Sequence, residues 1–168
     1  MISEPDLTIR SLREADAAAL VDLLSAQPPE YARFFTPFPF ESPWIESMLR
    51  NRVRDGYFGV WSVSRLVAFF MLRGWDAGYE VPSYGVVVDY EHRGLGLARL
   101  TLAASKAMCR MMGSSRLMLK VHPENEVAIH AYESEGFVRT GRDDASGQFI
   151  YHVELQRQPF PGSSGERR

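Results

Sequence analysis

The stretch Val86-Val87-Val88-Asp89-Tyr90-Glu91-His92-Arg93-Gly94-Leu95-Gly96-Leu97-Ala98 decides the fold. Three consecutive β-branched valines read as the end of a strand, and Gly94 opens a long helix. A helix start leaves four backbone N–H groups unpaired, and the macrodipole adds about half a positive charge there. Glycine lets the chain turn tightly and come close to a ligand. The turn is therefore an anion site suited to a phosphate or pyrophosphate. A dinucleotide fingerprint needs a third glycine where Arg99 stands, and no Gly-Lys-Ser/Thr ending marks a nucleoside triphosphate loop.

Outward from this turn, the periodicity predicts strands and helices in alternation. Leu7 to Arg10 reads as a first strand, followed by a helix capped by Ser11 with Glu14 and ending before Pro28. Tyr31, Phe34, Phe35, Phe38 and Phe40, interleaved with Pro37 and Pro39, predict an irregular segment. Ser42 and Pro43 predict the N-cap and first residue of a second helix running to about Arg54. Tyr57 to Val63 and Leu66 to Arg73 form a hairpin turning at Ser64-Arg65, and Val81 to Val88 is the fourth strand. The long helix ends at Gly113, and Arg116 to Val121 is the fifth strand. A helix from Asn125 to Ser134 follows, then a closing hairpin of Phe137 to Gly141 and Gln148 to Leu155. The class is mixed α/β, one domain over 1–158 with a Pro/Gly/Ser-rich tail, 159–168.

The bulk numbers narrow the function. The 168 residues are 45% hydrophobic and 24% charged, too apolar for a disordered chain. A net charge of −2 gives no general attraction to nucleic acid or an acidic membrane surface. No apolar run approaches the roughly 20 residues of a membrane span, and no secretory signal is visible at the start. A single cysteine, Cys109, suits a reducing compartment, so a cytoplasmic protein is expected. No metal-ligating pattern stands out.

The turn and its surroundings resemble motif A of the GNAT acetyltransferase superfamily, Q/R-x-x-G-x-G/A after a strand. Arg93 takes the first position, Gly96 the glycine and Ala98 the final small residue. Val121 to Phe137 resembles motif B, with Asn125, an alanine, Tyr132 and the terminal Gly136-Phe137. Together the motifs imply the GNAT fold: a central, mixed, mostly antiparallel sheet of about seven strands, split between strands four and five and flanked by about four helices. They imply acetyl-CoA as cofactor. Its pyrophosphate would lie on Arg93, Gly94, Leu95, Gly96, Leu97, Ala98 and Arg99. Its pantetheine arm would run along Val86, Val87 and Val88, with a contact from Asn125, which is also a good N-cap. The implied activity is direct acetyl transfer to a primary amine of a small molecule or peptide. The other reading is a non-catalytic acyl-CoA-binding sensor or assembly module.

Tyr132 is implied as the general acid that protonates the leaving thiolate, and it lies two helical turns from Asn125 on one face. For the general base, Glu80 at the start of strand four is the first candidate, with His122, Glu124 or a water chain as alternatives. The N–H of Val88 is a candidate donor to the oxyanion. Lys120, where ribosomal-protein acetyltransferases tend to carry glutamate, argues against that substrate class. For the acceptor, Tyr31, Phe35 and Phe38 would form apolar walls closed by Trp75 and Tyr79, with Glu30 or Glu41 attracting the amine. Monomer and homodimer are both compatible with the sequence.

Overall fold

In the computed structural model, which describes residues 6–156, seven strands form one sheet in the order β1-β2-β3-β4-β5-β7-β6. The strands are β1 (Leu7–Ser11), β2 (Gly56–Ser62), β3 (Arg65–Arg73), β4 (Ser83–Val88), β5 (Arg116–Val121), β6 (Val138–Arg142) and β7 (Phe149–Glu154). All neighbours are antiparallel except β4 and β5, which run parallel. The helices are α1 (Ala17–Ser25), α2 (Pro29–Ala32), α3 (Ser42–Asn51), α4 (Leu97–Met111) and α5 (Glu126–Ser134). The expected tail, 159–168, lies outside the described residues. No helix among the described residues is long and apolar enough to cross a membrane.

β3 is buried on both faces, and its alternation divides the core in two. Ala68, Phe70 and Leu72 pack with Leu97, Leu102 and Cys109 of α4 and its neighbours. Phe69 and Met71 face the other way, into a cluster with Leu20, Leu24, Ile45 and Leu49 of α1 and α3. Val87 joins the second cluster and Val88 the first, so the valine run of β4 serves both layers.

Several boundaries differ from the sequence expectation, each for a local reason. Ser11 belongs to β1 and does not cap. Asp16 instead accepts from the Arg13 N–H at 2.7 Å and pairs with Arg10 at 2.8 Å, starting α1 through a turn at Glu14–Asp16. α2 adds one helical turn to the segment expected to be irregular, with Pro29 at its first position, where a missing N–H costs nothing. α3 is capped by Glu41 rather than Ser42, and it ends at Asn51 because Asp76 takes the N–H groups of Val53 and Arg54 at 2.9 and 2.7 Å. β4 starts at Ser83 rather than Val81, leaving Glu80 in the preceding loop.

The β2–β3 hairpin turns at Val63-Ser64, since Ser62 pairs with Arg65. Val63 has φ 55 and is 75% exposed, so a β-branched residue sits in left-handed space without burial to offset the strain. Val63→Gly is expected to stabilise the fold by about 1 kcal/mol. In urea this raises the unfolding midpoint at unchanged m; a lower midpoint would contradict it.

Candidate active site

β4 and β5 pair only at Ser83↔Met118 and Tyr84↔Leu119, and then separate. The remaining residues of β4 stay bound to β3 in an unbroken register through Ala68↔Val88. The Asp89 N–H donates to the Val67 carbonyl at 2.9 Å, which makes Val88–Ala68 a pair without mutual hydrogen bonds. The polar backbone groups of Val86 and Val88 therefore point away from β3, into the gap left by β5. They form a free strand edge inside a cleft, and among the described residues only the Val88 carbonyl is taken, by the Tyr31 hydroxyl at 2.8 Å.

The gap opens into a cavity of about 460 Å³. One wall is Gly85 to Val88 of β4, and the opposite wall is Lys120 to His122 with Asn125, Ala128 and Tyr132. Tyr31, Phe34, Phe35 and Phe40 close a third side. A Cβ at Gly85 would meet Met71 at 2.5 Å and Phe35 at 3.4 Å, so glycine there lets Phe35 lie close over the strand. The segment is strapped across the cleft mouth. Arg33 bonds Glu124 at 2.8 Å, and Phe34 lies 5.4 Å from His122 between ring centres.

The glycine turn stands beside this cleft. Gly96 is the N-cap of α4 with φ 83, and Gly94 has φ 76. No side chain caps the helix, and a Cβ added at either glycine would meet nothing within 4 Å. Backbone geometry, not packing, calls for glycine here, and the first-turn amides of Leu97, Ala98 and Arg99 have no side-chain cap among the described residues. Arg93 stacks on Tyr90, 3.6 Å from ring centre to guanidinium, and Tyr90 packs edge-on against Tyr31 at 5.5 Å.

Asn125 caps α5, its carbonyl oxygen accepting the Ala128 N–H at 3.3 Å, and it also lines the cavity. Tyr132 reaches the same cavity between Tyr84, edge-on at 6.4 Å, and Phe137 at 5.8 Å. Burial, helped by Tyr31, pushes the Tyr132 phenol up to about 12. Among the described residues its hydroxyl has no hydrogen-bond partner.

Four expected site residues are placed elsewhere. Glu80 and Trp75, with Tyr79, line a separate cavity of about 320 Å³. That cavity lies at the N-terminal end of β4, while the cleft opens at its C-terminal end. Val86 follows Glu80 by six residues, the last four of them in β4, a span of at most about 20 Å. Phe38 is buried in the second core cluster, stacked on Trp44 at 4.9 Å, because it packs under the sheet instead of over the cleft.

Gln27 and Asp89 were not singled out in the sequence. Asp89 is 7% exposed and ends β4. Burial opposes its charge, yet hydrogen bonds from Gln27 and His92 and the charge of Arg65 hold its carboxyl below the usual range. Gln27 also donates to the Leu23 carbonyl and accepts the Tyr90 N–H, both at 2.8 Å, tying α1 to the end of β4. The adjacency of Asp89 to the valine strand was the only sequence signal for this cluster. Gln27→Ala leaves buried partners unsatisfied and is expected to cost about 2 kcal/mol in urea unfolding; a loss below 0.5 kcal/mol, by the same about 1–3 kcal/mol rule, would contradict the assignment.

Comparison with known proteins agrees with this geometry. The profile of the Acetyltransferase (GNAT) family matches residues 18–137. A mycothiol acetyltransferase of Geodermatophilus obscurus is 29% identical over 123 residues, which cover 67% of this chain and 40% of that protein. A mycothiol acetyltransferase of Thermobispora bispora is 33% identical over 119 residues, covering 64% and 40%. The chain thus spans about 40% of the length of these curated relatives. Among solved structures, an acetyltransferase-like protein of Salmonella typhimurium, crystallised with its cofactor acetyl-CoA, superposes with a TM-score of 0.75 at 17% identity, covering 94% of this chain and 99% of that one. The chain belongs to the acetyltransferase (GNAT) family.

Proposed function

We propose that the protein is an acetyl-CoA-dependent N-acetyltransferase that moves an acetyl group directly to a primary amine of a small molecule or peptide. The observation that carries this reading is the free β4 edge at Val86 and Val88, running between an uncapped glycine turn and the Tyr132 phenol.

Acetyl-CoA fits these residues group by group. The amides of Leu97 to Arg99, with Gly94 and Gly96 leaving space above them, suit a pyrophosphate. Leu95 and Arg93 flank the same turn. The Val86 N–H and C=O suit the amides of the pantetheine arm, which add as a short extra strand. The cofactor supplies a thioester; the chain supplies position and a proton.

The Val88 N–H faces the cleft and is placed to stabilise negative charge on the carbonyl oxygen in the transition state. Tyr31 fixes the neighbouring carbonyl and so holds this peptide in place. Tyr132 donates its proton to the departing sulfur. Because its phenol is raised to about 12, it stays protonated at every working pH. Cys109 is wholly buried and burial pushes its thiol up to about 12, so it is a core residue and not a nucleophile.

Tyr132→Phe is expected to lower kcat about 100-fold with coenzyme A affinity within about threefold. The phenol is active when protonated, so its raised pKa predicts no loss of wild-type kcat from this group between pH 7 and about 10. An unchanged kcat in the variant, or a wild-type decline centred in that range that vanishes in Tyr132→Phe, would contradict the role.

A further inference from the structure

We propose that the acceptor is a weakly basic amine on an apolar, otherwise uncharged body, such as the α-amine of an apolar residue whose carboxyl group is masked, and that it binds already neutral. This rests on the reading of the cleft as an acetyl-CoA site.

The acceptor end of the cavity is built from Tyr31, Phe34, Phe35 and Phe40 against Val86 to Val88. An alkylammonium entering that space leaves water, and without a carboxylate to meet it the desolvation is not offset. The ionisable groups lining the cavity are Glu30, Tyr31, Tyr84, Lys120, His122 and Tyr132. Glu30 is the one carboxylate among them; its side chain is 94% exposed and turned toward Arg33 at 3.7 Å. Asp89 lies behind the end of β4 and is occupied by Gln27, Arg65 and His92. Glu124 is held by Arg33. No carboxylate among the described residues is thus left to hold a cation within the apolar space.

The same count argues against an acceptor carrying a free carboxylate. Lys120 is paired with Asp143 at 3.0 Å, and Arg33 with Glu124. Neither cation is free to receive it.

The remaining question is what removes the amine proton. His122 is the one imidazole in the cavity, and its Nδ1 accepts the Glu124 N–H at 3.2 Å. In the neutral ring this places the proton on Nε2, which makes that nitrogen a donor and not a base. Tyr31 donates to the Val88 carbonyl, and burial raises its phenol. Tyr84 is hydrogen-bonded to Thr101 at 2.8 Å and is also raised by burial. No side chain here is set up to deprotonate an ammonium before attack.

A neutral amine needs no such group. Its nitrogen bonds to the acyl carbon, the C–S bond breaks, and Tyr132 gives its proton to sulfur. The nitrogen, made acidic by attack, releases one proton that returns through water to the tyrosinate. Neutral amine and thioester become amide and thiol, with no net proton uptake. Selection then falls on the fraction of acceptor that is neutral, which at pH 7 is about 200-fold larger for an α-amine near 8 than for an alkylamine near 10.4.

The test compares phenylalaninamide with 3-phenylpropylamine, which share an aromatic body but differ in amine basicity, alongside free phenylalanine and spermidine. Coenzyme A binding by calorimetry is measured first. The expected kcat/KM at pH 7 favours phenylalaninamide over 3-phenylpropylamine by about 200-fold. The gap should narrow as pH rises, each profile bending at its own acceptor's pKa, with phenylalanine and spermidine poor. One shared inflection for both amines, a preference for spermidine or phenylalanine, or no product from either apolar amine would overturn the proposal while coenzyme A still binds. Absence of coenzyme A binding would overturn the acetyl-CoA reading beneath it.

Discussion

The parting of β4 from β5 is the constraint on which the site depends. Two adjacent parallel strands would ordinarily pair along their length, and here they pair at only two positions. Each strand is nevertheless secure, because β4 keeps six paired residues with β3 and β5 keeps six with β7. The sheet can therefore open in its middle without loosening either half. The cost is concentrated in the Val86 N–H and C=O and the Val88 N–H, which face a largely apolar cavity without a partner among the described residues, while Tyr31 satisfies the Val88 carbonyl. A ligand with its own amides would relieve that cost.

The surroundings keep the gap open and shaped. Tyr84 and Tyr132 meet edge-on within it, and both are fixed, the first by Thr101 and the second by Phe137. Asp89 stops β4 with a buried cluster of hydrogen bonds and an ion pair, and the chain then turns through Tyr90–His92 into the glycines and α4. The strand edge and the helix N-terminus are thus positioned by one short connection, which holds them at a fixed separation. The α2 strap, joined to Val88 by Tyr31 and to Glu124 by Arg33, closes the third side with aromatic rings.

Much of the fold was legible in the sequence because period and punctuation agreed. The valine run, the glycine turn, the Gly113 stop and the two hairpins all carried local signals, and the pairing of Asn125 with Tyr132 followed from helical spacing. Tyr31 and Phe35 were placed on the cavity from the aromatic, proline-rich composition of their segment. What the sequence does not carry is long-range. The strand pattern sets Glu80 near the start of β4, but nothing local says at which end β4 and β5 part. Phe38 carried the same aromatic signal as Phe35, yet the turn between them sends it into the core. Gln27 lies 62 residues from Asp89, and no local pattern marks that contact.

The central claim is that the free edge of β4 and the start of α4 together hold acetyl-CoA. Amide hydrogen exchange with and without saturating acetyl-CoA tests it most directly. The account predicts slowed exchange at Val86, Val88 and Leu97 to Arg99, with Val87 and Asp89, already bonded to β3, unchanged. Slowing confined to the cavity around Glu80 and Trp75, or none at Val86 and Val88 under saturation, would contradict it.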